Sequence, residues 1–161
     1  MSFFKKNKKY YLFSFLFSLF AIIFALYYQY IENYLPCELC IYQRIPYFII
    51  IIISSYAFFI NGNKNYMYFI GLLFFMSLII SITHFGVEQE FWQINSSCSN
   101  NTKDFENIDQ LKAFLEEVPI TKCNEITWSM FGISMAGYNV IYSIINILIS
   151  IYYYKIISNE K

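Results

Sequence analysis

Hydrophobic residues fill four stretches that no charged side chain interrupts: residues 10–31, 45–63, 65–87 and 126–154, of 22, 19, 23 and 29 residues. A helix rises about 1.5 Å per residue, so roughly 20 apolar residues cross about 30 Å of hydrocarbon. Each stretch is therefore long enough to span a bilayer. The pattern predicts transmembrane helices at approximately 10–31, 44–62, 66–85 and 130–154, with outward loops at approximately 32–40 and 86–128. Within the second loop, Phe105, Ile108, Leu111, Phe114, Leu115 and Val118 recur at helical spacing opposite acidic and lysine side chains. That periodicity predicts a short amphipathic helix over 107–117 lying on the membrane. The expected fold class is an all-α integral membrane protein: a four-helix transmembrane bundle with one short amphipathic helix in the second outward loop, forming a single membrane domain over 1–161.

Composition excludes the soluble alternative, because 58% hydrophobic and 14% charged residues in 161 are too apolar for a globule of that size. The net charge of zero leaves no basic surface for nucleic acid. The lysines instead report topology. Lys5, Lys6, Lys8 and Lys9 precede the first span, Lys64 sits between the second and third, and Lys155 and Lys161 follow the fourth. By the positive-inside rule these ends face the cytoplasm. The opposite side carries Glu32 and Glu38 in the first loop, and mostly acids in the second, among them Glu88, Glu90, Asp104, Glu106, Glu116 and Glu125. The first apolar run is longer than a signal-peptide core and has no small-x-small cleavage site before Glu32, so it is expected to remain as an anchoring helix. Aromatic residues near the span ends, such as Tyr10, Tyr27, Trp92 and Trp128, fit interfacial belts.

All four cysteines, Cys37, Cys40, Cys98 and Cys123, fall in the two outward loops, on the side where disulfides persist. Four cysteines allow three pairings, and spacing does not choose among them. Cys37 and Cys40 form a C-x-x-C after Pro36, at the start of the second helix. Unpaired backbone N–H groups there stabilise a thiolate, and Arg44, one turn beyond Cys40, adds positive charge on the same face. A structural zinc site is disfavoured because Cys98 and Cys123 stand singly, without the paired knuckles of four-cysteine sites; no metal is expected. His84, the sole histidine, falls at the outer end of the third span, at the depth of the C-x-x-C, where it could donate a hydrogen bond to a carbonyl ligand.

With these residues in view, the chain resembles the DsbB family of membrane oxidases that re-oxidise a soluble thiol oxidase. The resemblance rests on Cys37-Glu-Leu-Cys40-Ile-Tyr-Gln-Arg44, on His84-Phe-Gly-Val-Glu-Gln followed by Phe91, Trp92 and Cys98, and on Cys123-Asn-Glu-Ile-Thr-Trp128 running into Phe131-Gly-Ile-Ser-Met-Ala-Gly-Tyr-Asn139. It implies a quinone-dependent protein-disulfide oxidoreductase of the bacterial inner membrane, with its cysteine loops in the periplasm and a DsbA-like thiol oxidase as soluble partner. It further implies a relay in which the partner opens a Cys98–Cys123 disulfide, Cys123 exchanges with Cys37, and Cys40 is left as a thiolate facing ubiquinone or menaquinone. Arg44 and His84 match the family's quinone-site positions. Gln43 departs from the acid that better-known members carry there, and Glu88 has no assigned role. Two other readings compete: a non-catalytic four-span scaffold braced by static disulfides, and a quinone-linked epoxide-reductase-like protein. The latter is disfavoured because its loop cysteines precede its C-x-x-C.

Overall fold

The computed structural model describes residues 2–91 and 128–159. Four helices make up nearly all of this: α1 (Ser2–Tyr30), α2 (Glu38–Phe59), α3 (Lys64–Glu88) and α4 (Met135–Asn159). Each is long and apolar enough to cross a membrane. The amphipathic helix expected over 107–117, together with Cys98 and Cys123, lies outside the described residues.

The helix limits differ from the uncharged stretches for local reasons. α2 starts at Glu38 because Cys37 caps it: the residue is extended (φ −74°, ψ 169°) and its sulfur accepts a hydrogen bond from the Cys40 amide. The C-x-x-C thus belongs to the first helical turn. α3 continues through Glu88, since one carboxylate on its last turn finds polar partners inside the protein. α4 begins at Met135 because the residues before it fold back as a two-stranded hairpin, β1 (Ser129–Met130) and β2 (Ile133–Ser134). Met130 pairs with Ile133 across a tight turn in which Phe131 (φ 52°) and Gly132 (φ 77°) are both left-handed. That is the two-residue turn whose twist suits an antiparallel hairpin.

The bundle is inside-out relative to a soluble protein. Large apolar side chains point outward, with Phe59 80% and Ile52 68% exposed, while Ser54, Ser77, Ser81 and Ser143 are fully buried. Lipid gives apolar surface no reason to hide, so helices associate through close packing of small residues and through interhelical hydrogen bonds. Gly71 packs against Ser150, and Gly137 lies under Phe85. Ser54, Ser81 and Ser150 bond carbonyls one turn back on their own helices, at 2.6, 2.7 and 2.8 Å, which satisfies their hydroxyls without water. α3 packs most extensively on α4, α1 on α2 and α2 on α3, whereas α1 and α4 touch sparsely. The bundle is therefore a ring with one loose seam. At its lysine-bearing end that seam is pinned by Tyr10, whose hydroxyl lies 2.7 Å from Ser150 Oγ. Tyr11 also donates to the carbonyls of Gly62 and Asn63 in the α2–α3 turn.

The α3–α4 contact yields a stability prediction. A Cβ on Gly137 would stand 2.7 Å from Ile133 Cγ2 and 3.2 Å from Phe85 Cε2. Gly137→Val is expected to cost about 1–3 kcal/mol through overpacking, read as a lower thermal midpoint in detergent. An unchanged midpoint would show that the two helices have room to separate there.

Candidate active site

Four elements converge at the outer end of the bundle. The first two turns of α2 bring Cys37, Cys40, Gln43 and Arg44, the last turns of α3 bring His84 and Glu88, β2 brings Ser134, and the start of α4 brings Asn139. The two sulfurs lie 3.2 Å apart as free thiols, Cys37 donating to Cys40. Cys37 is buried and Cys40 half-buried. The hydrogen bond to Cys40 and, next, burial push the Cys37 thiol up to about 12. Negative charge in the pair therefore rests on Cys40, toward which the Arg44 guanidinium also directs its field. Arg44 itself is anchored by donating to Gln29 of α1.

His84 is 3% exposed and fully engaged. Its Nε2 lies 3.4 Å from Cys37 Sγ and 3.5 Å from a Glu88 carboxylate oxygen, while its Nδ1 lies 2.9 Å from Gln43 Nε2. The Gln43 amide is oriented in turn by Asn139, whose Nδ2 donates to Gln43 Oε1 at 3.0 Å and to Ser81 Oγ at 2.7 Å. Tyr47 completes the chain by donating to Asn139 Oδ1. In this arrangement Gln43 donates to Nδ1, so the histidine proton sits on Nε2, between thiol and carboxylate. Glu88, with only 7% of its side chain exposed, also accepts from the Ser134 hydroxyl. That hydroxyl simultaneously caps α4 by accepting from the Gly137 amide at 3.2 Å.

A cavity of about 350 Å³ opens beside this cluster. Its polar end is formed by Cys37, Cys40, Arg44, His84 and Glu88, and the remainder by Phe20 and Phe24 of α1 with Ile141 and Ile145 of α4. The size falls within the ~300–1,000 Å³ typical of small-molecule sites. Those α1 and α4 residues flank the loose seam of the bundle, so the apolar end of the cavity lies at lipid depth. A ring whose oxygen needs polar partners and whose tail is hydrocarbon matches both ends.

The structure thus brings together four of the six site residues expected from sequence, Cys37, Cys40, Arg44 and His84; Cys98 and Cys123 lie outside the described residues. It adds Gln43, Glu88, Ser134 and Asn139, to which sequence reasoning gave no role. Glu88 had a legible signal: it follows His84 by one helical turn, on the same face. Asn139 and Ser134 carried none, because nothing in the sequence states which helices are neighbours.

The unequal thiols are open to direct test. Brief iodoacetamide labelling of the reduced protein at neutral pH, mapped by peptide mass spectrometry, is expected to modify Cys40 about tenfold faster than Cys37, because the thiolate is the nucleophile. Labelling of Cys37 should keep rising with pH well beyond about 8.5, the free-thiol range, because its thiol is half ionised only at about 12. Equal rates at the two positions would refute the assignment of charge.

Comparison with known proteins identifies the family. The family model described as disulfide bond formation protein DsbB matches residues 7–153. An uncharacterized protein of Rickettsia prowazekii is 34% identical over 130 residues, covering 79% of this chain and 76% of its own length. Disulfide bond formation protein B of Nitrosospira multiformis is 24% identical over 86% of this chain and 85% of its own length, and that of Nitrosomonas eutropha 28% over 73% and 76%. No solved structure gives a significant match. With a family model covering nearly the whole chain, four spans and a C-x-x-C at the mouth of the bundle, the protein belongs to the DsbB family of disulfide bond formation proteins, multi-pass membrane disulfide oxidoreductases.

Proposed function

We propose that the protein is a quinone-dependent thiol:disulfide oxidase that re-oxidises a DsbA-like soluble thiol oxidase. Electrons enter at Cys98 and Cys123, pass to Cys37 and Cys40, and leave to a membrane quinone, ubiquinone or menaquinone. The observation that carries this reading is the placement of the Cys37–Cys40 dithiol at the polar end of a cavity whose other walls are apolar and flank the α1–α4 seam. The quinone, as acceptor substrate, takes up two electrons and two protons, the number released when a dithiol closes to a disulfide.

The chain's own residues supply direction. A partner thiolate attacks Cys98 and expels Cys123, and the partner's second thiol then resolves the mixed disulfide. Cys123 next attacks Cys37 of the oxidised Cys37–Cys40 pair and expels Cys40, and Cys98 then attacks Cys123, restoring the loop disulfide and releasing Cys37. Cys40 is suited to leave, since the Arg44 cation stabilises its thiolate. The Nε2 proton of His84 steadies charge on the Cys37 side. Arg44, held by Gln29, presents a cation to the oxygen end of the acceptor. Lysines at the α2–α3 turn and at both chain ends support cytoplasmic termini, with both cysteine loops facing the periplasm.

The test is an anaerobic mix of reduced protein with a soluble quinone, following quinone absorbance and free thiols together. Stoichiometric loss of both is expected, whereas silent thiols would favour a braced scaffold. Cys40→Ser should abolish quinone reduction, while Cys98→Ser should spare slow quinone chemistry yet block turnover with the partner. Full activity in both variants would overturn the relay. Arg44→Ala should raise the apparent quinone KM by about tenfold or more, the worth of one charge-assisted hydrogen bond at ~1.5 kcal/mol, and leave the partner's KM unchanged. An unaltered quinone KM would remove Arg44 from the site.

A further inference from the structure

The reduced site is also a set of metal ligands. Cys37 Sγ, Cys40 Sγ and an imidazole nitrogen of His84 all lie within 4.8 Å of one another, the one such group of three found among the described residues. The sulfurs are 3.2 Å apart and Nε2 is 3.4 Å from Cys37 Sγ. A tetrahedral zinc ion with Zn–S near 2.3 Å and Zn–N near 2.0 Å needs its sulfurs about 3.8 Å apart and sulfur and nitrogen about 3.5 Å apart. Opening the sulfur pair by roughly half an ångström, with Cys40 Sγ drawn from within 4.8 Å of the imidazole nitrogen to about 3.5 Å, would seat the ion. The cysteine spacing argued against zinc because it considered only cysteines; the third ligand comes from α3, which sequence could not place beside α2.

We propose that the reduced Cys37–Cys40 pair and His84 together form a binding site for a thiophilic divalent cation, with zinc as the type, and that closing the disulfide abolishes it. Two thiolates balance the charge of the ion, and Glu88, 3.5 Å from Nε2, stands beside the fourth position. Two-sulfur, one-nitrogen donor sets select zinc over magnesium or calcium.

The surroundings of His84 suit a ligand. A metal-bound histidine usually donates its other N–H to an oxygen behind it. Gln43 fills that position, with an amide atom 2.9 Å from Nδ1. To coordinate through Nε2, the imidazole must move its proton to Nδ1, so Gln43 must turn its oxygen there and Asn139 must reverse with it. Both amides can do so without orphaning a group, because the chain ends on the Ser81 and Tyr47 hydroxyls, each able to donate or accept. The binding that results is redox-gated: a cation sequesters both thiols and stalls the dithiol before it can be oxidised, and loading releases the thiol protons.

Binding is read without quinone or partner, so it stands or falls apart from the proposed oxidase activity. Full-length protein carrying Cys98→Ser and Cys123→Ser is reduced, freed of reductant and titrated anaerobically with Co²⁺. The expected result is one equivalent bound, with thiolate-to-cobalt charge-transfer absorption and visible bands of tetrahedral cobalt, displaced by Zn²⁺ and accompanied by proton release. The same protein oxidised to the Cys37–Cys40 disulfide should show no such absorption. His84→Ala should weaken binding by at least tenfold and alter the visible bands, and Gln43→Leu, which leaves all three ligands in place, should weaken it about 10–100-fold. Absence of charge-transfer absorption in the reduced protein would overturn the proposal. So would equal affinity in the His84→Ala variant, which would mean that the thiols alone capture the ion.

Discussion

The hydrogen bond between Gln43 and His84 is the contact on which the outer half of the molecule depends. It joins α2 to α3 in surroundings that offer little water, and it is continued to α4 by Asn139 and back to α2 by Tyr47. An unsatisfied polar group in an apolar interior costs several kcal/mol. Each member of the chain therefore fixes the axial position of its neighbour's helix. A slip of α3 by one residue would turn His84 and Ser81 away and strip one N–H of Gln43 and one of Asn139 of their acceptors. The register that satisfies the amides is the same register that sets Nε2 beside Cys37, so structural and chemical demands on these residues coincide.

Packing below this point explains where the cavity lies. Small residues draw α3 and α4 together, through Gly71 against Ser150 and Gly137 against Phe85, and leave no space between them. The ring of four helices then closes poorly at α1 and α4, where Phe20, Phe24, Ile141 and Ile145 are too bulky to interdigitate at the same distance. At the lysine-bearing end the Tyr10–Ser150 bond holds the seam shut, and at mid-depth Tyr142 donates to the Phe17 carbonyl at 2.6 Å. Toward the outer end the two helices are bridged instead by Trp128, whose ring meets Phe24 and Tyr28 of α1 and Tyr138 of α4, and there the cavity opens against the C-x-x-C.

Much of this was legible in the sequence, for identifiable reasons. Four uncharged stretches specify four spans because hydrocarbon tolerates nothing else at that length, and the C-x-x-C with Arg44 one turn later is local information. His84 was placed at the right depth by its position in the third stretch. What escaped was contact between helices. His84 was expected to face a carbonyl ligand, yet its Nε2 meets a thiol and a carboxylate. Asn139 stood inside a recognisable motif with no hint that it orients Gln43. The hairpin before α4 was hidden within an apolar run that read as continuous helix, although Phe131-Gly132 carried the turn signal. Ser134 looked like an ordinary small residue and in fact couples the cap of α4 to Glu88.

Gln43 and Glu88 acquire a joint meaning from this geometry. Better-known members of the family carry an acid immediately before the arginine, and a carboxylate at that position would accept from Nδ1–H and favour a charged imidazolium. Here the position holds an amide whose nitrogen faces Nδ1 and donates to it. The carboxylate stands instead on the opposite side of the same ring, one turn along α3, where it shares Nε2 with the Cys37 sulfur. The site thus carries an amide on the Nδ1 face of the histidine and a carboxylate on its Nε2 face, so its negative charge lies beside the thiol.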